Sequence, residues 1–285
     1  MLAPMVPGWI RIGAARHLVF QSTDGSIADD VTRQEHDEPA VLALGFPDAR
    51  ATPAFLAKLG GESLGPVPLL VRPLRLAHVA ERLKLPRVVR ALVPNLPLVA
   101  PFGGRRRAAV REISVHDPRL TRLWERFCID VGISVERNAA FFTRRIFGRP
   151  ERGYRVLIVE DGDRYAIRGL CIFVIKEGER GRVGYVMELL HDRSVDGMRA
   201  ASHLLGLAVR EASDAGAIAM HAWSLTHSGS FPIYALHAFV PVPQRLRPDP
   251  NEALQFCVRA LDPAVEDIAT NRERWYLSYL DDDAV

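Results

Sequence analysis

The sequence predicts an α/β (α+β) protein whose main part is a mixed, mostly antiparallel twisted sheet flanked by helices. Two observations support this class. Three strand-like segments follow one another at residues 154–160, 165–176 and 182–191, and a long helical pattern at 194–215 comes directly after them. A shorter set of similar segments occupies the first quarter of the chain. We therefore expect a partial unit followed by a complete one.

The first quarter of the chain consists of short apolar runs separated by turn residues. The small residues Gly13, Ala14 and Ala15 predict a turn that feeds a helix, where backbone N–H groups can approach a phosphate. A helix start without a ligand is the structural alternative. The other predicted elements of this unit are strands at 40–46 and 67–74 and a helix at 52–59, ended by Gly60-Gly61.

Residues 72–111 differ in composition from the rest of the chain. They carry ten Arg or Lys residues against one Glu, and five prolines interrupt them. One interpretation is a basic surface for RNA, an acidic partner or a membrane face. The alternative, which we prefer, is a solvated linker, because the stretch lacks the interleaved aromatic residues of a single-strand nucleic-acid platform. Nucleic acid is therefore not the expected partner.

The second unit begins after this linker and contains the long strands. The hairpin signal at residues 161–163 separates the first two of them, and Ser194 is placed to cap the long helix. Pro241 and Pro250 bound a bend near the end. The remaining predicted elements are strands at 108–115, 217–224 and 254–261 and helices at 117–131, 138–147, 231–237 and 263–274.

Composition excludes several classes of protein. The 285 residues are 48% hydrophobic and 25% charged, with a net charge of +3, as in an ordinary globular protein with a sizeable core. The three cysteines lie far apart, without the spacing of a zinc site or a disulfide framework, so no metal is expected. The first 20 residues lack an apolar signal-peptide core, and no segment is apolar enough to cross a bilayer. The cytoplasm is the expected location.

Glu188 lies inside the apolar third strand, and His191 ends that strand. A carboxylate there can act as a general base, directly or through water. A structural carboxylate paired with an arginine is the alternative. His227, in a polar turn, is a second candidate for proton transfer, whereas His221 lies within an apolar strand and reads as a core histidine.

A family resemblance is carried by residues 234–239 (YALHAF). They resemble the Tyr-x-x-x-Gly-Phe stretch of the GNAT acyltransferase superfamily, and the order of predicted elements is similar. The resemblance implies acetyl-CoA or another acyl-CoA as co-substrate, with Tyr234 protonating the leaving thiolate and Glu188 as the base. The family's pyrophosphate loop falls on residues 191–197 (HDRSVDG), where two aspartates would repel a phosphate. The implied CoA contacts are Leu189, Leu190, His191 and Ser194.

The first quarter resembles the second half of a GNAT domain. Residues 10–15 (IRIGAA) resemble the pyrophosphate loop, so Gly13 and Ala15 are expected cofactor contacts. Residues 56–61 (LAKLGG) match the tyrosine stretch, with Leu56 replacing the tyrosine. The end of the chain resembles the closing Trp-x-x-x-x-x-Asp-x-Asp of tandem-GNAT bacterial proteins, here Trp275, Asp281 and Asp283. The predicted organisation is a partial GNAT-like unit at 1–75, a basic linker at 76–107 and a complete acyltransferase domain with its tail at 108–285.

Three functions are consistent with these features. The first is an acyl-CoA-dependent N-acyltransferase, in the first instance an N-acetyltransferase, acting on a small-molecule or peptide amine. The second is a GNAT-fold binding or assembly module that has lost the chemistry. The third is a transferase that uses aminoacyl-tRNA, with residues 72–111 as its RNA surface. A homodimer is compatible with each of them.

Overall fold

The structure, a computed structural model, describes residues 5–22, 39–76, 96–98, 109–162, 165–243, 247 and 253–282. Within these ranges the chain forms two mixed sheets and several helices. The strands are β1 (Met5–Ile12), β2 (Ala15–Ser22), β3 (Leu42–Gly45), β4 (Glu62–Pro66), β5 (Leu69–Pro73), β6 (Val110–Glu112), β7 (Ile133–Val135), β8 (Arg155–Asp161), β9 (Ala166–Gly178), β10 (Gly181–His191), β11 (Ala219–Trp223), β12 (Val240–Pro241) and β13 (Gln255–Ala260). The helices are α1 (Thr52–Leu59), α2 (Arg119–Phe127), α3 (Ala139–Phe142), α4 (Val195–Asp214), α5 (Phe231–Leu236) and α6 (Glu266–Ala269).

Each sheet contains one parallel pair among antiparallel strands. The first sheet has the order β4-β13-β3-β2-β1-β7, and β2 runs parallel to β3. The second sheet has the order β12-β5-β11-β10-β9-β8-β6, and β10 runs parallel to β11. A parallel pair needs a crossover connection, and α4 provides it between β10 and β11. The predicted class, a mixed and mostly antiparallel sheet flanked by helices, is confirmed.

The two sheets exchange strands. β5, from the first part of the chain, pairs with β11 in the second sheet, while β13, from the far end, lies between β3 and β4 in the first sheet. The expectation that the strand at 254–261 closes the second unit is therefore wrong. An apolar run predicts burial but carries no information about which sheet edge receives it. The division of the chain at 76–107 stays a prediction, because most of that stretch lies outside the described residues.

Gly13 lies in a hairpin turn, and the predicted helix after it is wrong. β1 and β2 pair up to Ile12 and Ala15, so Gly13 and Ala14 are the two turn residues. Gly13 has a φ of +59°, which suits the first central position of a tight hairpin turn. Its N–H donates to the carbonyl of Gly132 at 2.9 Å. The small residues that suggested a phosphate loop instead make the chain reverse.

The helix α4 follows the prediction for residues 194–215 closely. The side chain of Ser194 caps it by accepting a hydrogen bond from the N–H of Gly197 at 2.9 Å. Gly216, with a φ of +83°, follows its last turn. No helix among the described residues reaches the length and apolarity needed to cross a membrane. The buried face of α4 consists of Ala201, Leu204, Leu205, Ala208, Val209 and Ala212.

Two main cores flank the second sheet. One lies under α4 and α5 and includes Val186, Leu189 and Tyr234. The other lies on the opposite face, joins both sheets, and includes residues of α2 and of the chain end from Trp275 to Leu280. A small cluster under α1 completes the first sheet. The predicted helix at 263–274 is wrong in detail: the segment forms three short turns, Pro263–Val265, Glu266–Ala269 and Arg272–Arg274, that lead into this core.

Candidate active site

The strands β10 and β11 part at the end that points toward the start of α4. Their last paired residues are Val186 and Ala222, after which β11 ends at Trp223 while β10 continues to His191. Met187 has no partner on β9 either, so it forms a β-bulge at the same level. Over its last five residues β10 therefore has no strand partner on the side of β11.

Glu188 follows the bulge and is fully buried. Its Oε2 accepts hydrogen bonds from Arg137 Nε at 2.8 Å and from Ser278 Oγ at 3.0 Å. Its Oε1 accepts from the Tyr276 hydroxyl and, at 3.2 Å, from the N–H of Leu189. A carboxylate has about four lone-pair positions, so these donors fill them. Of the two interpretations, Glu188 therefore fits the structural carboxylate paired with an arginine. It cannot accept a proton unless one of these hydrogen bonds breaks first.

Arg137 joins Glu188 to the end of the chain. Its guanidinium, also fully buried, forms an ion pair with Asp281 at 2.9 Å and donates to Ser278 Oγ and to the carbonyl of Val135, each at 3.0 Å. Burial by itself lowers the pKa of Arg137, but the charges of Asp281 and Glu188 outweigh it and raise that pKa. The guanidinium thus stays charged between two carboxylates.

Tyr234 belongs to α5 and packs in the same core as Leu189. Its ring packs edge-on against Phe239, with centroids 5.4 Å apart. No hydrogen bond between its hydroxyl and another described residue is observed. Burial raises the pKa of Tyr234 well above its ordinary value, and nearby Cys171 and Glu188 raise it further. The structure thus brings Tyr234 and Glu188 together, with a phenol that is protonated at neutral pH and free to donate.

The two predicted histidines are held by backbone groups. His191 is buried; its Nδ1 accepts from the N–H of Arg193 at 3.1 Å, and its Nε2 lies 3.2 Å from the carbonyl of Gly229. Burial lowers the pKa of His191, which favours the neutral ring. His227 Nε2 lies 2.9 Å from the carbonyl of Trp275. A carbonyl only accepts, so this nitrogen carries a hydrogen.

The other predicted CoA contacts are already engaged within the chain. The Leu189 carbonyl accepts from Ser230 Oγ at 2.7 Å, and Leu190 is buried in the core between the sheets. At the start of α4, Ser194 Oγ donates to Asp192 Oδ1 at 2.5 Å. Arg168 lies 2.7 Å from the other oxygen of Asp192. The place expected for a pyrophosphate therefore holds the chain's own carboxylate.

Comparison with known proteins gives the fold. No family model and no curated protein sequence matches the chain. Among solved structures, Saccharomyces cerevisiae N-myristoyltransferase with bound myristoyl-CoA superposes with a TM-score of 0.55 at 13% identity, covering 90% of this chain and 62% of that one. A second structure of that enzyme gives 0.54 at 14% identity, covering 91% and 67%. A GCN5-related N-acetyltransferase from Anabaena variabilis gives 0.51 at 12% identity, covering 90% and 59%.

The chain has the GNAT fold. At these identities the likeness concerns the fold alone, and the chain spans about three fifths of the length of these structures, 62% of the first and 59% of the last. Two of the helices are followed by a left-handed residue at the same spacing. Gly60 has a φ of +70° four residues after Leu56, and Ala238 has a φ of +58° four residues after Tyr234. The residue that aligns with the glycine of Tyr-x-x-x-Gly is thus left-handed after both α1 and α5, although in the second case it is an alanine.

Gly13 and Ala15 lie apart from the other predicted site residues. They belong to the β1–β2 turn at the edge of the first sheet, where no helix N-terminus follows them. The main residues that sequence reasoning missed are Arg137, Tyr276 and Ser278. For Tyr276 and Ser278 the only signal was the resemblance of residues 275–283 to the closing segment of tandem-GNAT proteins, and Arg137 had none. Asp283, the last residue of that motif, lies outside the described residues.

Proposed function

We propose that the protein is an acyl-CoA-dependent N-acyltransferase that transfers an acyl group, in the first instance acetyl, to an amine. The observation that carries the proposal is the parted pair β10–β11 with the unpaired hydroxyl of Tyr234 beside it. The fold shared with a structure that contains bound myristoyl-CoA supports it. In this proposal the pantetheine arm enters from the side of α4 and α5 and brings the thioester to the unpaired end of β10.

The reaction follows from the groups around this end of β10. The amine nitrogen forms a bond to the thioester carbon, and the carbon–sulfur bond breaks. Tyr234 gives its proton to the CoA sulfur, and the proton of the amine leaves through water to Nδ1 of His227. Glu188 can take that proton only after Tyr276 or Ser278 releases it. Most of the rate enhancement comes from holding the two substrates in contact.

A second candidate function is a GNAT-fold binding module without catalysis. A specific observation favours it: both backbone groups of Leu189 and the start of α4 are occupied by the chain's own side chains. A pantetheine arm must displace Ser230, and a pyrophosphate must displace the carboxylate of Asp192. The expected result for such a module is no binding of any acyl-CoA.

The transferase that uses aminoacyl-tRNA is the weakest candidate. Most of residues 72–111 lie outside the described residues. Of the basic residues that are described, Arg72 is buried and donates to the carbonyl of His237, and Arg75 donates to the carbonyl of Ser213 at 2.7 Å. These two serve helix ends inside the fold. If the remaining basic residues of this stretch form an RNA surface, RNA binding should weaken steeply as the salt concentration rises.

A thermal-shift titration tests the first candidate against the second. A ligand that binds only the folded protein raises the midpoint of unfolding, by an amount that grows with the logarithm of its concentration relative to Kd. We expect acetyl-CoA to raise this midpoint and to release free CoA, detected with a thiol reagent, when an amine acceptor is present. A shift without CoA release from any amine of a broad panel supports a CoA site but contradicts catalysis. No shift with CoA or any acyl-CoA contradicts the enzyme.

A further inference from the structure

The start of α4 is the place where the family resemblance puts the diphosphate of CoA. A diphosphate binds at a helix start when a glycine leaves room beside the helix and the first backbone N–H groups face an open space. Gly197 supplies the glycine, but a Cβ added to it would overlap Oδ1 of Asp192. The carboxylate of Asp192 therefore fills the space that the diphosphate needs.

The Asp192 carboxylate is held firmly in this place. Its Oδ1 accepts from the N–H and the hydroxyl of Ser194 at 3.1 and 2.5 Å, and its Oδ2 accepts from Arg168 at 2.7 Å. The side chain is only 3% exposed. Burial by itself raises the pKa of Asp192, but the hydrogen bonds from Ser194 and Arg168 outweigh it and lower that pKa. The carboxylate is thus ionised at neutral pH and repels a second anion.

Two basic side chains close to the start of α4 are engaged by other parts of the chain. Arg168 also donates to Asp161 at 2.5 Å, so its guanidinium lies between two carboxylates. The Nε of Arg193 donates to the carbonyl of Phe127 at 3.0 Å, and its guanidinium lies over the Phe127 ring, 5.1 Å from the centroid. Asp196, in the first turn of α4, adds a further negative charge with a side chain that is 73% exposed. The residues at the start of α4 therefore do not fit a diphosphate.

We infer, on the basis of the proposed function, that the acyl donor is recognised through its pantetheine arm and not through its nucleotide. The substrate class is then a pantetheine thioester, with or without the nucleotide portion of CoA. Asp192 takes the place of the diphosphate as an internal anion at the helix N-terminus, where negative charge is favourable. The chain keeps the glycine and the helix of the family loop but satisfies them with its own carboxylate.

The experiment measures by calorimetry the binding of acetyl-CoA, S-acetylpantetheine and inorganic pyrophosphate to the wild type, Asp192→Ala and Asp196→Ala. Both variants remove one negative charge from the start of α4, but only Asp192→Ala also empties the space beside Gly197. We expect the Kd values of acetyl-CoA and S-acetylpantetheine for the wild type to lie within about threefold of each other. We expect pyrophosphate to bind Asp192→Ala at least about tenfold more tightly than it binds the wild type or Asp196→Ala.

The outcomes separate the inference from the proposed function. Acetyl-CoA that binds the wild type more than about threefold more tightly than S-acetylpantetheine overturns the inference but leaves the proposed function in place. Pyrophosphate that binds Asp192→Ala no more tightly than Asp196→Ala also overturns the inference, because another feature then excludes the diphosphate. If Asp192→Ala does not fold, the comparison of the two thioesters on the wild type decides. Failure of both thioesters to bind the wild type overturns the inference together with the proposed function.

Discussion

Two buried carboxylates, Glu188 and Asp281, share the single guanidinium of Arg137 near the centre of the molecule. The two carboxylates and the guanidinium together carry one negative charge. The hydroxyl groups of Tyr276 and Ser278 are further donors to Glu188. A buried ion pair adds little stability compared with apolar residues of the same shape, but removing one partner from it is costly. This asymmetry makes Arg137 the residue on which the network depends.

Replacing Arg137 should therefore destabilise the protein severely. We expect Arg137→Met to lower the free energy of unfolding by about 3–5 kcal/mol, because two carboxylates stay buried without a cation. Urea denaturation at neutral pH measures this change. Arg199→Met is the matched control, since Arg199 pairs with Asp196 on the surface of α4 with a side chain that is 76% exposed, and its effect should stay within about 0.5 kcal/mol. Equal losses in the two variants would contradict the role of the network.

Tyr234 differs from Tyr276 in its hydrogen bonds, although both are buried beside Glu188. The Tyr276 hydroxyl donates a hydrogen bond to Glu188, whereas no hydrogen bond from the Tyr234 hydroxyl to a described residue is observed. We expect Tyr234→Phe to lower the rate of CoA release by at least about tenfold with little change in acyl-CoA affinity, as for the loss of a general acid. The measurement is the thiol assay with an accepted amine. Tyr165→Phe, whose ring is 80% exposed, is the control. Unchanged turnover in Tyr234→Phe would remove Tyr234 from the mechanism.

At the scale of single elements, α5 ends in a strained residue. Ala238 has a φ of +58°, in the left-handed region that costs a residue with a Cβ about 1 kcal/mol. The N–H of the next residue, Phe239, still donates to the carbonyl of Tyr234 at 3.0 Å, so the turn closes as it would with a glycine. The alanine therefore keeps the geometry of the family motif at the expense of stability.

A glycine at this position should relieve the strain. We expect Ala238→Gly to raise the free energy of unfolding by up to about 1 kcal/mol, because glycine adopts this conformation freely. Ala235→Gly, at an exposed position in the last turn of α5, should lower it by up to about 1 kcal/mol through lost helix propensity. Chemical denaturation measures the free energy of unfolding of both variants. The two changes have opposite signs if Ala238 is left-handed. A loss of stability in both variants would contradict a left-handed Ala238.

At the scale of the whole molecule, the exchanged strands tie the two sheets together. β5 separates β11 from β12 in the second sheet, and β13 separates β3 from β4 in the first. β7 adds a further strand from the second part of the chain to the edge of the first sheet. Each sheet is therefore incomplete without residues from the other part of the chain.

Expressing the two parts as separate chains tests this arrangement. We expect fragments 1–76 and 109–285 to lack cooperative unfolding when produced alone, because each loses the strands that cover its sheet edges. Co-expressed, they should associate and purify together on a tag carried by one of them. Far-UV circular dichroism and urea titration report the folding of each sample. Cooperative unfolding of fragment 109–285 alone would show that β5 is dispensable to the second sheet.

The sequence predicted the long elements well and the contacts of the site poorly. The strands β8 to β11 and the helices α1, α4 and α5 all lie where apolar periodicity, Ser194, Gly60 and Gly216 indicated. Glu188 was recognised as unusual because it interrupts an apolar strand. Its distant partners were not predicted, because Arg137, Tyr276 and Ser278 lie 51, 88 and 90 positions away, and no local pattern encodes pairing at that separation.

For the long elements β8 to β11, α1, α4 and α5, the sequence by itself determined where the strands and helices lie and that their order matches the GNAT fold, because periodicity, caps and turn residues act over a few positions. Only the tertiary structure decided that Gly13 reverses a hairpin, that β5 and β13 change sheets, and that Glu188 is a paired anion while Tyr234 keeps a free hydroxyl. These outcomes depend on contacts between distant parts of the chain, which compete for the same sheet edges and the same buried hydrogen bonds.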